Sequence, residues 1–312
     1  MHPSADFFST SSLFDLQVNG YAGVDFQQAG LSARDLARAV AALRVRRTGR
    51  ILLTLITDRV DRLCSKLGQI ERIRRRHPAV AATVVGYHLE GPWLLPRPGF
   101  SGAHDARLMR RPRVPDFERL WDASGGNIRL VTLAPELPGA PEFVHHVAAR
   151  GVRVAIGHSD AGEKAIDEAI AAGLTLCTHL GNGVPLHLPR HDNVVQRLLA
   201  RDELYAAFIP DGLHLPPPVL KNFVRAKPAG RVLFTTDCMA AAAAPPGRYR
   251  LGGLRVAVGP DGIVRQPGQP GAFAGSSLTM DAALANVQAM LGWPPEEAWA
   301  ACSSRITQYL GL

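Results

Sequence analysis

The chain has 312 residues, of which 46% are hydrophobic and 20% are charged. This composition supplies enough apolar side chains for a full core and excludes an intrinsically disordered chain. The formal net charge of +8 comes mostly from arginine, since only four of the 35 basic residues are lysines, and the densest basic runs are not interleaved with aromatic residues. We interpret these runs as solvated helix faces and loops, and expect no nucleic-acid partner.

The sequence also bears on membranes and redox chemistry. No uninterrupted apolar stretch approaches the length of a spanning helix, and "MHPSADFFST" lacks the basic start and apolar run of a signal peptide. We therefore expect no membrane partner. The four cysteines, Cys64, Cys177, Cys238 and Cys302, have no short spacing. This argues against a disulfide framework or a thiolate zinc cage and favours a reducing, cytoplasmic location, with Cys177 and Cys238 packed in the interior.

Short apolar runs alternate with helical patterns along almost the whole chain. Eight runs predict buried strands, at residues 13–19, 51–57, 83–90, 128–136, 152–159, 174–180, 204–210 and 231–237. Helices are predicted at residues 32–45, 59–76, 141–150, 162–172, 193–201, 216–226, 279–291 and 295–302. Strands that are apolar on both faces are typical of a parallel sheet, and eight such units predict an α/β fold, a (β/α)₈ TIM barrel. The Gly- and Pro-rich segment at about 245–270 predicts a small hairpin insertion after strand eight, and we expect residues 1–312 to form one domain.

In such a barrel, chemistry gathers where the strands run out into loops. Polar residues do lie at or just after the ends of the predicted strands: Asp15, Gln17, Asn19, Glu90, His158, His179, Asp211, His214 and Asp237. Each alone has an ordinary explanation, such as a hydrogen-bonded structural histidine or a helix N-cap. As a set they suggest more, because one carboxylate and two imidazoles match the ligands of a hydrolytic metal ion, and a further carboxylate would face its water as general base. The sequence contains no HExxH, Walker A or GxSxG pattern that would compete with this interpretation.

At these residues the sequence resembles the N-acetylglucosamine-6-phosphate deacetylases of the amidohydrolase superfamily. The matching blocks occur in the family's order and are "DLQVNGYAGVDF", "YHLEGPWL", "SGAHD", "AIGHSDA", "THLGNGVP", "DGLHLPP", "TTDCMAAAAAPPGRYRLGG" and "AFAGSSLTMDAALANV". The resemblance implies metal-dependent hydrolysis of the N-acetyl group of N-acetylglucosamine 6-phosphate, giving glucosamine 6-phosphate and acetate. It also implies one divalent ion, with Zn²⁺ favoured over Fe²⁺, Co²⁺ or Mn²⁺, and a homodimer.

Carried over residue by residue, the resemblance makes Glu90, His158 and His179 the metal ligands and Asp237 the catalytic base and later acid. His104 would approach the acyl carbonyl or the sugar. The implied substrate-binding set, part of it contributed by a neighbouring subunit, is Ala103, His104, Asn182, Gly183, Arg190 and His214. His88 has no role implied by the family, and we expect it to pack or to orient Glu90.

The sequence departs from the family pattern at several places. Gln17 and Asn19 stand where many superfamily members have His-x-His, which predicts a single metal and a vestigial second position, with Gln17 at most touching the ion through water. Gly183 replaces a small non-glycine residue, and Cys238 replaces an alanine after Asp237. The family's β-sandwich is expected to be missing from this chain. Two alternatives stay open: a deacetylase of a related N-acyl amino sugar, and a non-catalytic sugar-phosphate-binding relative.

Overall fold

Eight parallel strands form a nearly closed barrel in the computed structural model, which describes residues 12–266 and 273–312. The barrel strands are β1 (Leu13–Val18), β4 (Thr48–Ile56), β5 (Val84–Glu90), β6 (Ile128–Leu133), β7 (Arg153–Ile156), β8 (Leu174–Cys177), β9 (Tyr205–Phe208) and β10 (Val232–Phe234). Each lies within or beside one predicted strand, and neighbours in this order pair in parallel. The predicted (β/α)₈ barrel is therefore confirmed.

Helices follow most of the barrel strands and pack around them. They are α1 (Ala33–Val45), α2 (Val60–Arg76), α3 (Pro78–Thr83), α4 (Val114–Ala123), α5 (Ala140–Ala149), α6 (Glu163–Ala172), α7 (Val194–Leu199), α8 (Pro217–Arg225), α9 (Met280–Leu291), α10 (Pro295–Ala301) and α11 (Ser304–Leu310). In the described part of the chain, none of them has the length and hydropathy needed to span a bilayer. The opening "MHPSADFFST" lies outside the described residues.

The sequence patterns missed three helices, α3, α4 and α11, and the two-residue strands β2 (Gly20–Tyr21) and β3 (Val24–Asp25). Helix α4 begins within the arginine- and proline-rich run "RRPRVPDF", which has the composition of a loop. Proline is tolerated in the first turn of a helix, because the N–H groups there have no intrahelical acceptor. The helix therefore starts beside Pro115, in a segment for which the sequence patterns predicted no helix.

Most barrel strands end earlier than predicted, and beyond three of these ends lie residues with unusual backbone conformations. Strands β7, β8 and β10 stop at Ile156, Cys177 and Phe234. His158, His179 and Asp237 follow with φ of 53°, 26° and 50°, in the left-handed region that non-glycine residues rarely adopt. Such conformations persist only where the surrounding structure holds them, and they concentrate at functional sites.

Gly157, the first residue after β7, lies at a close approach of neighbouring barrel segments. A Cβ atom at this position would lie 2.3 Å from Cγ2 of Thr178 and 2.9 Å from Cγ2 of Thr132, both on neighbouring segments of the barrel. Only glycine allows these segments to come so close. The chain leaves the sheet directly after this contact, which brings the following residue, His158, to the rim.

The barrel closes between β1 and the segment after β10. Val18 forms a parallel bridge with Cys238, and the N–H of Asn19 donates to the Cys238 carbonyl at 2.7 Å. The buried Asp15 carboxylate accepts a bond of 2.6 Å from the Thr235 hydroxyl across the same seam. Cys238 thus has a structural place in the seam, and its thiol is fully buried, as the sequence led us to expect.

The predicted insertion forms a three-stranded antiparallel sheet of β11 (Gly247–Leu251), β12 (Leu254–Val258) and β13 (Val264–Arg265). The hairpin after strand eight is therefore confirmed within the described residues, while positions 267–270 of the predicted segment lie outside them. One face of the sheet packs on the barrel rim in a second hydrophobic cluster, which includes Ile56 and Met239. This contact fixes the insertion beside the carboxyl ends of the first strands.

Candidate active site

Three imidazoles converge on one carboxylate at the rim of the barrel. Oε1 of Glu90, the last residue of β5, lies 2.8 Å from Nε2 of His179 and 3.3 Å from Nε2 of His158. Oε2 of Glu90 lies 3.5 Å from Nε2 of His104. All four side chains are buried. The predicted ligands Glu90, His158 and His179 are therefore brought together, although they come from three different strands.

His158 presents a lone pair to this carboxylate. Its Nδ1 lies 2.7 Å from the carbonyl oxygen of Phe100, which can only accept, so Nδ1 carries the proton and Nε2 of the neutral ring does not. Nε2 and Oε1 of Glu90 are then two acceptors 3.3 Å apart. They require a proton or a cation between them. Two ligand atoms, each about 2.0–2.2 Å from a tetrahedral ion, are separated by roughly this distance.

His104 has the opposite tautomer. Its Nδ1 accepts a bond of 3.3 Å from the backbone N–H of Thr57 and lies 2.9 Å from the Thr57 hydroxyl. The proton of the neutral ring is consequently on Nε2, where it faces Glu90. A protonated ring nitrogen is a hydrogen-bond donor and cannot ligate a metal.

The choice of metal ligands depends on these tautomers. By distance alone, the possible ligand atoms of Glu90, His104 and His158 form a group within 4.8 Å of one another, and this group omits His179. The donor role of His104 argues against that grouping. Nδ1 of His179 is buried and has no hydrogen-bond partner among the described residues, while its Nε2 faces Glu90. The donor set of one carboxylate and two imidazoles fits a divalent ion such as zinc.

Asp237 is held by two amides. Nε2 of Gln17 and Nδ2 of Asn19 donate to the same oxygen, Oδ1, at 2.8 Å and 2.7 Å. Oε1 of Gln17 in turn accepts from the Thr178 hydroxyl at 3.0 Å. The two amides expected at a vestigial metal position therefore fix the orientation of the aspartate, and both bonds leave Oδ2 free of them.

Burial and charge set the protonation of the two carboxylates in opposite ways. Burial, followed by the charge of Glu90, raises the pKa of Asp237 to about 6, against the lowering influence of His179 and His214. Burial would also raise the pKa of Glu90, but its contacts with the three imidazoles, His104 foremost, hold that pKa well below the usual value. Two nearby carboxylates with separated pKa values are typical of catalytic sites. There, the carboxylate with the low pKa stays ionised, and the one with the raised pKa can exchange a proton.

His88 lies outside this cluster of contacts. Its Nε2 is 2.8 Å from the hydroxyl of Thr132 on β6, and its Nδ1 is 3.4 Å from the hydroxyl of Thr54 on β4. Burial lowers the pKa of His88 to about 4, so the ring is neutral. The expectation that it packs agrees with these contacts, since the ring links β5 to both neighbouring strands.

The predicted substrate-binding residues occupy loops around the same rim. Nδ1 of His214 donates to Oδ2 of Asp211 at 2.6 Å, and Nδ2 of Asn182 donates to the His179 carbonyl at 3.2 Å. Ala103 packs against the hydrophobic cluster that lies between the insertion and the barrel rim. Arg190 is exposed, and none of the described side chains forms an ion pair with it. The structure thus places Asn182 against His179, and His214 near Asp237. Arg190 has no described contact with Glu90 or the three imidazoles.

Glycines flank the His158 ring and were only partly anticipated. A Cβ on Gly183, whose φ is +66°, would lie 2.9 Å from Nδ1 of His158, and one on Gly102 would lie 2.9 Å from its Cε1. Sequence reasoning quoted "SGAHD" but did not select Gly102, and it did not select Thr57 or Phe100 either. A glycine or a backbone carbonyl gives no chemical signal in the sequence, so these positioning contacts emerged only from the fold.

A parallel (β/α)₈ barrel with a carboxylate, imidazoles and a second carboxylate at the carboxyl ends of its strands defines the metal-dependent amidohydrolase class. No family model matches the chain. It is 32% identical over 309 residues to N-acetylglucosamine-6-phosphate deacetylase from Danio rerio, an alignment that covers 96% of this chain and 74% of the relative. The chain belongs to the N-acetylglucosamine-6-phosphate deacetylase family.

Two further relatives extend this comparison. N-acetylgalactosamine-6-phosphate deacetylase from Escherichia coli O157:H7 is 32% identical over 300 residues, covering 96% of this chain and 77% of the relative. The solved structure of a mutant N-acetyl-D-glucosamine-6-phosphate deacetylase from Mycobacterium smegmatis, in complex with N-acetyl-D-glucosamine-6-phosphate, superposes with a TM-score of 0.88 at 30% identity. That superposition covers 97% of this chain and 77% of the other.

Proposed function

We propose that the protein hydrolyses the N-acetyl group of N-acetylglucosamine 6-phosphate, releasing glucosamine 6-phosphate and acetate. The observation that carries the proposal is the convergence of Glu90, His158 and His179 beside an oriented Asp237. An amine-release assay on N-acetylhexosamine 6-phosphates, run with metal analysis of the same purified sample, tests it. Bound metal without turnover of any substrate in the panel would favour a non-catalytic sugar-phosphate-binding relative.

In this proposal Glu90, His158 and His179 hold one divalent ion, with zinc as the first candidate. The separation of 3.3 Å between the Glu90 and His158 ligand atoms supports the assignment, because the Phe100 carbonyl accepts from Nδ1 and the lone pair of the neutral ring is then on Nε2. When bound, such an ion polarises a carbonyl and lowers the pKa of a coordinated water from about 16 to about 7. The Phe100 carbonyl keeps His158 in the ligating tautomer.

Asp237 acts as the proton carrier. With Oδ1 occupied by the two amides, Oδ2 is the atom that accepts a proton from the attacking water and later returns it to the leaving amine. An acid with a pKa close to the working pH is suited to both steps, and burial brings Asp237 to about 6. His104, with its proton on Nε2, is the donor available to the acyl carbonyl or the sugar.

Replacing Gln17 by methionine tests whether this amide serves Asp237 or the metal. Methionine keeps the volume of the side chain and removes the donor to Oδ1. We expect kcat to fall about tenfold, the scale of one hydrogen bond to a charged group, with the KM and the metal affinity unchanged. Metal titration and steady-state kinetics on the Gln17→Met protein measure both. A weaker metal affinity with unchanged kcat would instead place Gln17 at the ion.

Arg190 is proposed to bind the phosphate, because the family resemblance implies that role, the side chain is exposed, and its planar guanidinium can bond two phosphate oxygens. In the Arg190→Ala protein we expect the KM for N-acetylglucosamine 6-phosphate to rise about 10- to 100-fold, from the loss of charge-assisted bonds. The KM for unphosphorylated N-acetylglucosamine should not change. Equal losses on the two substrates would contradict the phosphate assignment. Arg72→Ala, at an exposed position of α2, is the control.

A second candidate function is the deacetylation of N-acetylgalactosamine 6-phosphate. The observation in its favour is the identity of 32% to a deacetylase named for that sugar, as high as the 32% to the Danio rerio relative. The acyl chemistry would use the same ligands and the same Asp237. Comparing kcat/KM for the two epimers distinguishes the candidates.

We also infer a homodimer in the cytoplasm. The dimer is inferred from the resemblance to the deacetylase family, in which part of the substrate-binding set would come from a neighbouring subunit. All four cysteines are free thiols, which favours a reducing compartment. Light scattering of the purified protein measures the subunit number directly.

A further inference from the structure

A basic groove lies apart from the candidate active site. It has a volume of about 1450 Å³ and runs between the β2–β3 turn region, helix α2 and the insertion hairpin. None of Glu90, His158, His179 and Asp237 lines it. Five basic side chains line it against two acidic ones, and the basic residues are Arg62, Lys66, Arg248, Arg250 and Arg255.

The hairpin places like charges opposite each other. In the register of β11 and β12, Arg250 pairs with Arg255, and Arg248 lies on the same face. Like charges directly opposite in an antiparallel pair destabilise the hairpin. Across the described residues, none of these three arginines forms an ion pair with a carboxylate. All three are exposed, and all three line the groove together with Tyr249 and Val256 of the opposite face.

The wall opposite the hairpin contains a buried lysine. Lys66 of α2 is 8% exposed, and its Nζ lies 2.8 Å from Oδ2 of Asp58. An ammonium group has three N–H donors, and this bond to Asp58 uses one of them. Arg62 also approaches Asp58, at 3.7 Å, so the charge of that acid is already compensated. Lys66 therefore retains donors toward the groove.

The remaining acid, Asp25, holds the hairpin in place. Its two oxygens accept from the backbone N–H groups of Gln27, at 2.9 Å, and Gly252, at 3.0 Å. Gly252 is in the turn that joins β11 to β12, so this bond fixes the turn beside the arginine pair relative to β3. Both oxygens of Asp25 therefore accept backbone hydrogen bonds. Among the described residues, Asp25 forms no ion pair with Arg248, Arg250 or Arg255.

We propose that this groove binds a small molecule carrying a phosphate or diphosphate group, held by Arg250, Arg255 and Lys66. An anion between the paired guanidinium groups removes the repulsion across the hairpin, and guanidinium groups match phosphate oxygens in a fixed geometry. This site is distinct from the one proposed for the phosphate of the catalytic substrate, and it does not depend on the deacetylase assignment.

Isothermal titration of the metal-loaded full chain with inorganic pyrophosphate tests the proposal. The Arg250→Gln/Arg255→Gln protein should bind pyrophosphate about tenfold more weakly or worse, because charge-assisted bonds are lost. The matched control is Arg72→Gln/Arg76→Gln, which removes the same charge from exposed positions of α2 that do not line the groove. Its affinity should equal that of the unmodified protein. Equal weakening in the two double variants, or none in the groove variant, would overturn the proposal.

A competition experiment separates the groove from the catalytic rim. The Asp237→Asn protein is saturated with N-acetylglucosamine 6-phosphate and then titrated with pyrophosphate. Binding that persists supports a second site, whereas exclusion by the substrate would place the anion at the catalytic centre and overturn the proposal. The groove variant should also melt at or above the temperature of the unmodified protein, since a like-charge pair has been removed.

Discussion

The Asp237→Asn protein should lose about 10²- to 10⁴-fold in kcat, the range that general acid–base catalysis contributes. Asparagine keeps the shape of the side chain, and its oxygen can still accept from Gln17 and Asn19, but it takes up no proton. The melting temperature should not fall, because burial disfavours the charged aspartate that the substitution removes. Steady-state kinetics and thermal unfolding on the same sample measure both quantities.

The metal content of this variant should equal that of the unmodified protein, since Asp237 is proposed to carry a proton and not to ligate. Asp116→Asn is a matched control: Asp116 is also buried in the first turn of helix α4, its ion-pair partner is Arg110 at 3.3 Å, and no described hydrogen bond or ion pair joins it to Glu90, His158, His179 or Asp237. That control should keep kcat. A loss of metal in Asp237→Asn, or a kcat within a few-fold of the unmodified enzyme, would contradict the proton-carrier role.

Replacing Glu90 by glutamine should remove both metal and activity. The substitution takes away the carboxylate on which three imidazoles converge and puts a neutral amide, a poor zinc ligand, in its place. Even changes outside the ligand set commonly weaken metal binding 10- to 100-fold, so we expect a loss of at least about 100-fold here. Metal analysis after dialysis, with activity before and after zinc is restored, measures the effect.

Glu71→Gln provides the comparison for Glu90. Glu71 is a buried carboxylate on α2 that accepts from the hydroxyl of Tyr87 at 2.8 Å and pairs with Arg74 at 3.2 Å, and it has no described bond to Glu90, His158 or His179. Its substitution should lower stability and leave the metal content unchanged. If both variants retain metal, Glu90 is not a metal ligand. That result would contradict the proposed ligand set and also the alternative set of Glu90, His104 and His158.

These two experiments address separate functions of one rim. Glu90 is kept ionised by the imidazoles around it, while burial brings Asp237 closer to neutrality. The amides of Gln17 and Asn19, which the resemblance implies mark a vestigial metal position, donate to Oδ1 of Asp237, the proposed proton carrier. Loss of both metal and activity is therefore expected when Glu90 is replaced. Loss of turnover with the metal retained is expected when Asp237 is replaced.

The sequence by itself determined the barrel and the convergence of its polar residues. Apolar runs at 51–57, 83–90 and 128–136 predict buried parallel strands, because such strands are covered on both faces. In a closed parallel barrel every strand ends at the same rim, so residues after different strands must meet. That is why Glu90, His158 and His179 could be grouped although their mutual distances in the chain are large.

The tertiary structure alone decided what each of these residues can do. The tautomer of His158 depends on the Phe100 carbonyl, 58 positions away, and that of His104 depends on Thr57. The orientation of Asp237 depends on Gln17, 220 positions away, and the basic groove depends on how the hairpin docks against α2. Local periodicity encodes which residues are buried, but hydrogen-bond partners supplied by distant loops and backbone carbonyls leave no periodic trace, and only the packed chain brings them together.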